Sequence, residues 1–142
     1  MIVFPDYLMV GGYRVEVHYP EGPLRDSQGS VVFGLFYDKE VRIEINTHGV
    51  QPIQILASLI HEYYHAVLFL QGHIAGGGEI NLPDEESAVR VMESATMTLL
   101  MDNPGMLKVI RAVLKDYEDY KKGRPCHWLG EVQRFDIPRR ED

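Results

Sequence analysis

Several things are scarce in this chain, and each scarcity narrows what it can be. Among its 142 residues there is one cysteine, Cys126. No internal disulfide can therefore staple the fold, and a reducing, cytoplasmic setting is the simpler expectation. Positive charge is also short: 14 Lys and Arg stand against 21 Asp and Glu, for a net charge of −7. That balance argues against a general nucleic-acid or anionic-membrane surface, because phosphates need clustered cations. It leaves a DNA-associated protein open as a partner. No basic stretch leads into a long apolar run near the first residue, so no signal peptide is expected, and the apolar stretches fall short of a membrane span. Repeats and low-complexity segments are lacking too. What remains is ordinary for a globular chain, 45% hydrophobic and 25% charged, in a length that forms one domain with its own core.

The order of patterns predicts strands first and helices afterwards, an α+β domain with an N-terminal antiparallel sheet followed by three helices. Strands are expected between residues 7 and 45. Tyr13, Val15, Val17 and Tyr19 alternate, with Gly11-Gly12 turning the chain between two short strands. The apolar run Val31–Tyr37 and the alternating Val41–Ile45 suggest a β-hairpin through Asp38-Lys39-Glu40. A helix follows over 52–71, with Pro52 in its first turn and a core stripe of Leu56, Leu59, Ile60, Tyr63, Val67 and Leu70. A second helix is expected over 84–101, its face of Ala88, Met92, Ala95 and Leu99 packing on the first. A third runs over 104–121, burying Met106, Ile110, Val113 and Tyr117. The domain thus spans 1–122, and 123–142 reads as an irregular tail.

Mid-way along the first helix stands His61-Glu62-Tyr63-Tyr64-His65, of the form H-E-x-x-H. Four residues are just over one helical turn, so the two imidazoles project from one face and can share a zinc ion. Glu62, next to the first, can act as the base for an activated water. Such a site needs a third protein ligand and an open position. Glu85 is favoured because it is in phase with the packing face of the second helix, and Glu86 is the fallback. Both also suit simple dipole capping of a helix start. His73, eight residues past His65, is a rival ligand across Gly72. Glu93 reads as a solvated or supporting acid. An oxyanion donor could be Tyr63, Tyr64, His73 or His127, and spacing does not choose among them. Cys126 beside His127 reads as incidental.

These stretches resemble the small zincin metallopeptidases of the gluzincin type, and more narrowly the phage-type ImmA/IrrE-like metallopeptidases. The resemblance rests on Phe33–Asp38, Ile43–Ile45, Leu59–Ala66, Asp84–Glu86 and Leu99–Pro104. It implies zinc, hydrolysis of peptide bonds in a protein substrate, and a cytoplasmic protein of phage or prophage origin. It also implies that a strand before the active-site helix, 31–37 or 41–45, offers an edge to the substrate. The metzincin extension would need Gly at Leu68 and His at Gln71, so that branch is excluded. A SprT-like arrangement would take His73 as third ligand. The polar residue that often follows the glutamate ligand by one turn is here Val89, or Arg90 counted from Glu86. A catalytically silent module that holds metal and regulates a partner is therefore the alternative to a peptidase.

Overall fold

A computed structural model describes residues 2–73 and 80–124. Four strands come first: β1 (Tyr7–Val10), β2 (Tyr13–His18), β3 (Gly34–Tyr37) and β4 (Arg42–Ile45). Three helices follow: α1 (Pro52–Leu70), α2 (Glu85–Asp102) and α3 (Met106–Lys121). The expected tail from Pro125 on, and residues 74–79, lie outside the described residues.

The sheet corrects the antiparallel expectation. Its order is β1-β2-β4-β3, and β2 pairs with β4 in parallel through Glu16↔Arg42, Val17↔Ile43 and His18↔Glu44. The hairpins β1–β2 and β3–β4 are antiparallel, so the sheet is mixed. The cause is the loop between β2 and β3. It buries Leu24, folds back on itself where Arg25 bridges Val31, and carries β3 to the outside. β4 then returns into the centre, where its Ile43 and Ile45 are fully buried. β2 and β4 take the central places, and β3, each of whose residues is only half-buried, is left as an edge.

One face of the sheet carries the core. Leu8, Val10, Val15, Val17, Ile43 and Ile45 meet Ile55, Leu56, Leu59, Tyr63, Ala66 and Val67 of α1. The other face is polar and held by stacked cations, Arg14 over Tyr7 at 4.1 Å and Arg42 over Tyr37 at 4.6 Å. α3 packs against α1 and contributes Met106 and Val113. By length and composition alone α1 is apolar enough to cross a membrane, which the reading of short apolar runs did not anticipate. In this fold one face of it, from Ile55 to Val67, is the domain's own core face.

α2 is attached chiefly by its C-terminal end. Asn103 Oδ1 accepts the Met9 N–H at 2.7 Å, Asn103 Nδ2 donates to Met9 O at 2.9 Å, and Asp102 accepts the Gly11 N–H at 2.9 Å. These side chains plug the outer edge of β1. Tyr63 reaches the same place from α1, its hydroxyl donating to Met9 O at 2.8 Å. The expected burial of Met92 does not occur, and Ala88 is only half-buried. Met92 is 58% exposed, Val89 is 49% exposed, and α2 buries only Ala95 and Leu99.

Candidate metal centre

α1 stays helical through the motif because its breakers stand at the ends, Pro52 in the first turn and Gly72 at φ 75° just past the last. The four-residue spacing then brings the two histidines together. Their Nε2 atoms are 3.2 Å apart, with ring centroids at 4.9 Å and planes inclined by 70°. Two nitrogens bound at ~2.0–2.1 Å to one tetrahedral zinc are about 3.3 Å from each other, so this pair is spaced for a single ion. Both rings face outward, His61 with 68% of its side chain exposed. Partial burial, and after it the neighbouring His61, lower the pKa of His65. That keeps its imidazole in the neutral form a metal requires.

Glu62 sits differently. It is only 6% exposed, and its Oε1 lies 4.0 Å from His61 Nε2. Burial pushes its carboxyl above the usual range, while His61 works in the opposite direction. A carboxylate moved up in this way is better matched to proton transfer near neutrality.

The surroundings follow from helical geometry. Relative to His61, Glu62 turns about 100° one way and Tyr64 about 60° the other. Glu62 meets β3 at Gly34, and Tyr64 meets α2, its hydroxyl 2.5 Å from Thr96 Oγ1. The histidine pair therefore lies on the open side of α1, between the β3 edge and the middle of α2.

Third-ligand candidates are not gathered there. Among the described residues no group of three or more His, Cys, Asp or Glu side chains is placed to hold a metal ion. Glu85 opens α2 in an exposed turn, capped by Asp84, whose carboxylate accepts the Ser87 N–H at 2.7 Å. Glu86 pairs with Arg90 at 3.2 Å. His73 follows the Gly72 turn, its N–H donating to Leu68 O and its carbonyl accepting the Asn81 N–H. Thr96 of α2 meets α1 beside the pair, at Tyr64. Glu85 lies eleven positions before it, about 16 Å along the helix, whereas Glu93 lies one turn before it. Of the oxyanion candidates, Tyr63 is fully buried and committed to Met9, Tyr64 is bonded to Thr96, and His127 lies outside the described residues.

Sequence reading missed Gly34. Its signal was present, a glycine inside the otherwise β-prone run Val31–Tyr37, which marks close approach of another group. No family model, no curated protein and no solved structure matches this chain.

Proposed function

We propose that this chain is a zinc-dependent peptidase, an endopeptidase acting on a protein substrate. The observation that supports it most is the convergence of two exposed histidine nitrogens at 3.2 Å beside a buried, base-like glutamate. His61 and His65 would hold the ion, with an acid of α2 as the third protein ligand. The sequence puts forward Glu85 or Glu86, and the contact of Thr96 with Tyr64 favours Glu93. Zinc bound there supplies Lewis-acid polarisation and an activated water. Glu62 is the base, accepting a proton at its carboxylate and delivering it to the leaving amine.

The substrate in this reading lies along β3. β4 is paired on both sides, so among the described residues β3 is the one of these two strands with an unpaired edge. Phe33 O accepts the Asn46 N–H at 2.8 Å, pointing Phe33 toward β4. By the alternation of an antiparallel ladder, Gly34 and Phe36 then direct their N–H and C=O groups outward, ready for an added strand.

The test is zinc stoichiometry at pH 7 together with cleavage of unfolded protein by the wild type and by Glu62→Gln. One zinc per chain and cleavage lost in Glu62→Gln are expected, and a protein that takes up no zinc sinks the metal reading. Stoichiometric zinc without Glu62-dependent cleavage selects the catalytically silent module. Alanine variants of Glu85, Glu86, Glu93 and His73 then identify the third ligand by loss of zinc.

A further inference from the structure

We infer that Gly34 is a positioning residue, whose missing side chain is what allows Glu62 to stand beside the histidine pair. The role rests on the reading of Glu62 as the base, but the contact itself is a matter of space. A Cβ at position 34 would lie 2.9 Å from Glu62 Cγ, 3.1 Å from Glu62 Oε1 and 3.2 Å from Ile45 Cδ1. Gly34 does not have the positive φ seen at Gly11, Gly22 or Gly29, so its backbone is open to any residue. Conformation does not demand glycine here, and strand propensity opposes it. Room is the remaining reason.

That room cannot easily be found elsewhere. The closest atom is the Cγ of Glu62, which is fixed by the first side-chain torsion and not by a floppy tip. Behind Gly34 stands Ile45, its partner on the central strand, at 0% exposure. β3 is further pinned two residues on, where Phe36 packs against Phe69 of α1 at 5.9 Å. A methyl group at 34 must therefore turn the Glu62 side chain or lift β3 from the sheet. Gly34 also presents its N–H and C=O on the open edge. One residue thus clears the base and aligns an added strand at the same level along α1.

The inference is tested by a double cycle of Gly34→Ala and Glu62→Ala, read by thermal unfolding, alongside kinetics and zinc content of Gly34→Ala. In the wild-type background Gly34→Ala should lower Tm by about 4 °C. In the Glu62→Ala background the two closest obstructing atoms are gone and only Ile45 Cδ1 at 3.2 Å remains, so the same change should lower Tm by clearly less or leave it unchanged. Zinc content should stay at the wild-type level, because His61 and His65 are untouched. kcat should fall by about 100-fold with little change in KM, as for a catalytic group misplaced by about 1 Å. If Gly34→Ala fails to fold alone but folds with Glu62→Ala, the coupling is shown by that rescue. An equal Tm change in both backgrounds, or full activity in Gly34→Ala, overturns the inference. Coupling in a protein whose wild type has no Glu62-dependent cleavage overturns the peptidase reading and leaves the dependence of Glu62 on Gly34 standing.

Discussion

The Met9 carbonyl is shared by two donors from different helices, and that sharing predicts a specific failure of additivity. Tyr63 donates to it at 2.8 Å and Asn103 Nδ2 at 2.9 Å, while Asn103 Oδ1 takes the Met9 N–H. Tyr63→Phe removes one donor and leaves the carbonyl bonded, so it should cost about 1 kcal/mol. Asn103→Ala takes away the partner of a half-buried N–H as well, and should cost about 2–3 kcal/mol. The double variant strips the carbonyl of both side-chain donors. Its loss should exceed the sum of the two single losses by about 1 kcal/mol, the penalty for an acceptor left without these partners. Urea unfolding followed by circular dichroism, with equal slopes across the four proteins, measures the cycle. Additivity within about 0.5 kcal/mol would refute the shared-acceptor argument. So would a Tyr63→Phe loss larger than that of Asn103→Ala.

Other outcomes follow from the site and the core. In the metal-free protein Glu62 has a folded pKa raised by burial. Its favourable contribution is then present below the unfolded pKa and is lost as pH rises through the folded one. Glu62→Gln should consequently be more stable than the wild type at neutral pH, with the advantage shrinking toward about pH 4, as melts across that range would reveal. Zinc at one hundred times its Kd should stabilise the wild type by about 2.7 kcal/mol, reversed by chelation and absent in His61→Ala and His65→Ala. Leu59 is fully buried in the core, so Leu59→Ala should cost about 2–5 kcal/mol by chemical denaturation. The Glu86–Arg90 pair is open to solvent on both sides, 69% and 75% exposed, and Glu86→Ala should cost less than about 0.5 kcal/mol.

Local signals carried far in this sequence, and long-range ones did not. The alternation of Val15 and Val17, the Gly11-Gly12 turn and the spacing of His61 and His65 are all set within a few residues, and each could be read directly. The parallel pairing of β2 with β4 depends on where the loop through Leu24 lands, which no periodicity encodes. For α2, the stripe of Ala88, Met92, Ala95 and Leu99 has the right phase throughout. Yet only its second half is buried, because Asp102 and Asn103 moor the helix to β1 at that end. Helical phase favours Glu85, but phase says nothing about distance along the axis. Gly34 escaped notice since a glycine has no side chain to announce a role, and its meaning appears only when Glu62 is placed against it.

The two borders of the sheet are not equivalent. On β1 the outward groups of Met9 are occupied by Asn103, and just past its end Asp102 takes the Gly11 N–H, whereas among the described residues the outward groups of β3 have no partner. A molecule with two live borders can add copies at either side and grow into a fibre. One with a single live border can pair once, and the chain reaction stops. Self-association by this route would end at two copies, each hiding the border on which a substrate strand would have to lie. Crowding the protein against itself would then work as an inhibitor built into its own shape.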